Sequence, residues 1–180
     1  MDAQNRFNPF TDRQSRDIRN ELSSALAIAL RDGNDQPITD VAQKFLSGGL
    51  AEIHSAYINE RLRRYRKAID AIAGKIDDPF HRSFILWDLG LFFEMHEVLE
   101  HDWYHATGET KLLMQALIRA AGVYIKLECD LVPQARKIAA KALPVLQAQQ
   151  KTLAAYFPPE RLIAALASES ATPPKLLASN

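Results

Sequence analysis

Leu112–Cys129, LLMQALIRAAGVYIKLEC, decides the fold class, because it is apolar on nearly every side of a helical wheel. A strand of that length would be exceptional, and a helix that is apolar almost all round belongs at the centre of a packed structure. Its one narrow polar stripe is Gln115, Arg119 and Lys126, with the small Gly122 between them. A central helix needs neighbours that each offer it one apolar face. The flanking sequence supplies them.

Working outward, apolar residues recur at three- and four-residue spacing along most of the chain, while β-branched alternation is scarce. The pattern predicts a first helix over about 12–31, stopped by Asp32-Gly33-Asn34, and a short second one after Pro37 that ends at Gly48-Gly49. A third runs over about 50–74. Asp77-Asp78-Pro79 supplies a cap and a first-turn proline for a stretch continuing to His105, with a bend near Gly90. The central helix then spans about 109–130. Another runs from Pro133 to Tyr156, bent at Pro144, and Pro158-Pro159 opens a last short helix to Ala167. The expectation is an all-α, single-domain bundle of about six to seven helices over 12–167. An extended segment (1–11) precedes it and a flexible tail (168–180) follows.

The stretch with chemistry in it is Leu89–His105, LGLFFEMHEVLEHDWYH. With Glu94 set at 0° and about 100° per residue, Leu99, Phe92, Trp103, Leu89 and Phe93 form an apolar face between about 140° and 260°. His96, near 200°, and Glu100, near 240°, fall inside that face, and Glu97 sits at its border near 300°. Glu94, His101 and His105 fall on the polar side. A carboxylate pressed into an apolar face must be protonated, paired or metal-bound. His96 and Glu100 are four apart and can touch, with Trp103 as a wall. Arg119 of the central helix, or Arg64 or Arg61 of the third helix, is the expected counter-ion of Glu100.

These residues carry a resemblance. FFEMHEVLEHDW, followed by LMQALIRAAGVYIK, resembles domain-of-unknown-function family 309, whose motif reads F-[FY]-E-[AM]-H-E-V-L-E-x-x-W. His96, Glu97, Glu100 and Trp103 match it position by position over a family-like core of about 80–147. Ala116, Arg119 and Lys126 depart from the glycine, glutamine and histidine usual in the second helix. The resemblance implies an all-helical fold. It supplies no reaction.

Composition removes several function classes. Lys plus Arg and Asp plus Glu are 22 each, so no basic field points to nucleic acid, and the basic run Arg61–Lys67 reads as a solvated face with core ion pairs. The single cysteine, Cys129, makes an internal disulfide and a paired-cysteine zinc site impossible. No run is apolar over the roughly 20 residues that span a bilayer, and the first residues lack a signal-like apolar core. The expected location is the cytoplasm.

Three readings of the cluster stay open. His96, Glu97, Glu100, Trp103, Gln115, Arg119, Lys126 and Arg64 form a structural polar network, or they line a groove for a small molecule or protein partner; a homodimer would associate through the long helices. Alternatively His96 and Glu100 ligate a divalent metal, although His96-Glu97-x-x-Glu100 lacks the second histidine of H-E-x-x-H. The enzymatic versions are a metal-dependent hydrolase using the same residues, with Glu97 and Glu100 as catalytic candidates, and an enzyme without metal in which a buried glutamate paired with His96 is the general base.

Overall fold

The structure is a computed structural model that describes residues 6–177. It is all-α: among the described residues nine helices and no strand are found, against the six to seven expected. The helices fall into two compact units, Met1–Ile76 and Asp77–Asn180. No helix among the described residues is long and apolar enough to cross a membrane.

The first unit holds α1 (Arg13–Asp32), α2 (Gln36–Leu46) and α3 (Glu52–Ile72). Asp12 caps α1, its carboxylate accepting from the Gln14 and Ser15 amides at 3.3 and 2.7 Å. Gly33 closes the helix with φ +68°, its N–H bonded to the Ala29 carbonyl, which is a conformation that glycine adopts without strain. Ile18, Leu22, Leu26, Ile38, Ile58 and Tyr65 are fully buried between the three helices. Within that core is a polar seam. His54 Nε2 lies 3.0 Å from Asp12 Oδ2 and 3.1 Å from Ser15 Oγ, and Ser15 itself donates to Asp12. Of the expected extended segment 1–11, residues 1–5 lie outside the described residues. Residues 8–12 form a turn on the Asn8 carbonyl, and Phe7 stacks on Tyr57 at 3.5 Å between centroids.

The second unit holds α4 (Pro79–Asp88), α5 (Phe92–His105), α6 (Gly108–Leu127), α7 (Val132–Ala148), α8 (Gln150–Leu153) and α9 (Pro159–Ala167). As its apolar girth requires, α6 is central, packing on α5 and α7. Leu113, Met114, Ala116, Leu117, Ala120, Ala121, Val123 and Tyr124 are buried along it. The expected bend near Gly90 is a full break between α4 and α5, with Gly90 at φ +68°. Pro144 does not end α7; the interruption falls at Gln149, between α7 and α8. Asp78 caps α4 and also accepts the Tyr156 hydroxyl at 2.8 Å. Burial first, then that carboxylate, pushes the Tyr156 phenol up to about 12.

The segment expected as a flexible tail is tied down as far as residue 177. Trp87 Nε1 donates to the Pro174 carbonyl at 2.8 Å, and the Leu176 and Leu177 amides donate to the Asp88 carboxylate at 2.7 and 2.8 Å. Lys175 reaches the Asp88 carbonyl, and the Leu176 side chain is buried. Residues 174–177 thus form a strap across the end of α4.

Candidate functional site

The rotation of α5 decides which of its polar residues meet solvent, and its neighbours set that rotation. Phe92 is wedged between Trp87 of α4 and Tyr124 of α6, with ring centroids 5.1 and 5.2 Å away. Trp87 and Tyr124 are themselves edge to face at 5.2 Å. One turn from the far end, Arg82 Nη2 reaches Asp102 Oδ2 at 3.1 Å, with both side chains largely shielded. Burial holds the Tyr124 phenol up at about 12. An aromatic wedge at one end and an ion pair at the other fix the helix on α4 and α6.

The buried arc is therefore Leu91, Phe92, Glu94, Met95 and Leu99. This corrects the wheel read from sequence. That wheel centred the apolar face near 200°, whereas the buried arc centres near 100°, a rotation of about 100°. Glu94, expected on the polar side, is 0% exposed. His101 and His105 are exposed as expected. His96, Glu100 and Trp103 are half-buried rather than enclosed, and Glu97 is exposed.

At this border one donor atom each from His96, Glu97 and Glu100 comes together, all within 4.8 Å of one another. His96 Nδ1 lies 3.2 Å from Glu97 Oε1, with side-chain exposures of 29% and 47%. Among the described residues no side chain hydrogen-bonds or ion-pairs with the Glu100 carboxylate. Trp103 follows one turn on. Its ring carries the Lys111 ammonium 4.5 Å from the centroid, a cation–π contact from the first turns of α6.

Arg119 Nη1 points across to the Lys141 carbonyl of α7 at 3.5 Å, and Gln115 and Lys126 are half-buried on α6. Arg64 belongs to the first unit, where its Nε donates to Glu60 at 2.7 Å. Arg61, 7% exposed, lies over the Tyr57 ring at 4.9 Å in that same unit. The network in which Glu100 is held between His96 and an arginine of α6 is not formed. The reason is the rotation of α5: it turns Glu100 toward water instead of into the core. Sequence reasoning missed Glu94, the Arg82–Asp102 pair and Lys111. The signal for Glu94 was present, since it is three or four residues from Leu91 and Val98 on a common stripe.

One imidazole nitrogen and two carboxylate oxygens, from positions i, i+1 and i+4 of one helix, form a mixed donor set. Such a set suits a borderline divalent ion such as zinc, manganese or iron better than magnesium or calcium, which favour oxygen alone. Two concavities lie in the first unit, one lined by Arg31, Asp32, Gly33, Ile69, Asp70 and Lys75 and the other by Asp40, Gln43, Lys44, Leu46 and Ser47.

Among curated proteins and among solved structures, nothing matches the chain. Residues 80–138, which contain α4, α5, α6 and the first turns of α7, match the model of the family described as Domain of unknown function (DUF309), which bears out the family resemblance.

Proposed function

We propose that this protein works by binding through the half-buried border of α5, and that its ligand there is a divalent transition-metal ion held by His96, Glu97 and Glu100. A single observation carries the reading: three donor atoms lie within 4.8 Å, and among the described residues no cationic side chain is paired with Glu100. Two carboxylates three residues apart on one helix repel each other. A cation between them removes that cost. A structural network would instead spend these groups on protein partners, as the first unit does with Asp12, Ser15 and His54. The neutral charge balance gives no support to a nucleic-acid partner.

The test is titration with Mn2+ and Zn2+ by calorimetry, on wild type and on His96→Ala and Glu100→Gln. One equivalent of Mn2+ should bind to wild type and be lost in both variants, with helicity unchanged by circular dichroism. Mn2+ binding that survives both substitutions, or is absent from wild type, overturns the reading. Three protein ligands also leave room for water on the ion, the arrangement found in catalytic zinc sites. That count favours a second reading, a metal-dependent hydrolase using Glu97. Metal-dependent hydrolysis of an activated ester, abolished by Glu97→Gln while the ion stays bound, would select it.

A further inference from the structure

Three of the chain's five histidines fall within ten residues of α5, and only His96 belongs to the site above. His101 and His105 are both exposed, four residues apart, with ring centroids 5.7 Å apart and planes at 61°. Among the described residues neither ring has a hydrogen bond or an ion pair. Their neighbours do not compete for them. Asp102 is committed to Arg82, and Tyr104 is 67% exposed.

We infer that His101 and His105 form a second cation site, a two-imidazole clamp for a borderline-soft divalent ion of the nickel, copper or zinc class. Two histidines at i and i+4 on one helical face are the spacing with which a helix grips such an ion. A metal–nitrogen bond of about 2.0–2.1 Å puts the ion about 3 Å from each ring centroid, so one ion spans centroids up to about 6 Å apart. The observed 5.7 Å falls within that span. Position helps as well. His105 is the last residue of α5, where the partial negative charge of the carbonyl end favours a cation. The all-nitrogen donor set separates the two sites chemically: imidazole suits nickel and copper, whereas a carboxylate-rich set accepts manganese. The inference does not rest on the His96–Glu97–Glu100 reading.

The experiment is Ni2+ titration of the untagged full chain, wild type against His101→Ala, His105→Ala and Glu100→Gln, with histidine NMR signals followed at substoichiometric Cu2+. Either alanine variant should weaken Ni2+ binding by about tenfold or more, the loss expected when a ligand-shell group is removed. Glu100→Gln should leave Ni2+ binding at the clamp in place. Cu2+ should broaden the His101 and His105 signals first, with His54 and His81 unaffected. Ni2+ affinity within about twofold of wild type in both alanine variants, or broadening centred on His96, overturns the clamp. Both substitutions are at exposed positions, and circular dichroism checks that the variants are folded. Mn2+ lost in Glu100→Gln but kept in His101→Ala reports on the first site alone, so failure of either site is seen separately.

Discussion

The two compact units handle polar side chains in opposite ways. In the first, the buried histidine is spent: His54 closes a seam with Asp12 and Ser15, and the surface is laced by Arg63 and Arg64 on Glu60, Arg66 on Asp35 and Lys44 on Glu21. In the second, the interior is aromatic. Phe84, Trp87, Phe92, Tyr124 and Phe157 meet edge to face or stacked, and at the outer border of α5 the Glu100 carboxylate and the His101 and His105 imidazoles have no hydrogen bond or ion pair among the described residues. Burial of a polar group is thus a poor guide to function in this chain. What marks a candidate site is donor atoms that converge and have no protein group to satisfy them.

The sharpest way to break this contrast is at the aromatic interior. Trp87→Ala removes a side chain that is 1% exposed and the donor to Pro174. It should cost about 3–5 kcal/mol in urea unfolding, and a cost under about 1 kcal/mol would show that the aromatic cluster is not the second unit's core. Next comes the polar seam. Asp12→Ala strips α1 of its cap and leaves His54 and Ser15 without their shared acceptor, for about 1–2 kcal/mol, with Asp12→Asn recovering most of it. An unchanged midpoint for Asp12→Ala would reduce the seam to an incidental contact.

Acid and alkali should then separate the units. The Ser15 hydroxyl and amide, then His54, hold the Asp12 carboxyl well below the usual carboxylate range, and Arg63 and Arg64 hold Glu60 at about 2. Both are depressed acids, so their stabilisation is complete above the ordinary carboxylate range and fades as pH falls from about 4 toward 2. Partial exposure makes the effect modest. Tyr124 and Tyr156 in the second unit are raised to about 12, so their contribution is full below about pH 10 and lost as pH climbs through 12. Both tryptophans lie in the second unit. On acidification, helicity should therefore fall before tryptophan emission moves; simultaneous loss would mean that the two units do not differ in this way. The Glu169–Arg136 pair lies at the surface, with side chains 35% and 66% exposed, and should add little to the acid response of the second unit. The smallest expected effect is at the candidate site. His96→Ala without metal should shift stability by no more than about 0.5 kcal/mol, as for an ordinary surface substitution. A loss of several kcal/mol would restore the buried network that α5 does not form.

The all-α class was legible from the girth of Leu112–Cys129 and the three- and four-residue spacing around it, and most helix ends fell at the caps and prolines that predict them. The rotation of α5 was not. The sequence wheel gave Phe93, Trp103 and Leu89 full weight as core, but Leu89 precedes the helix, and the two aromatics are only half-buried. Met95 and Val98, weighted properly with Leu91 and Leu99, would have turned the face by about 100° and buried Glu94. The break at 76/77 carries no composition shift, since Asp77-Asp78-Pro79 reads as a helix cap alone. The strap was illegible for a different reason. Its bonds run from backbone amides to Asp88 and from Trp87 to a carbonyl, and those backbone groups belong to every residue type.

That strap also sets an order of events. The indole of Trp87 and the carboxylate of Asp88 hydrogen-bond to groups 87 to 89 positions later in the chain. On a ribosome the α4 end must wait, with its tryptophan incompletely bonded, until residue 177 has cleared the exit tunnel. Closure over so long a separation is slow relative to helix formation. The second unit should therefore reach its native fluorescence late, in a step that follows helix assembly and is keyed to the arrival of four residues.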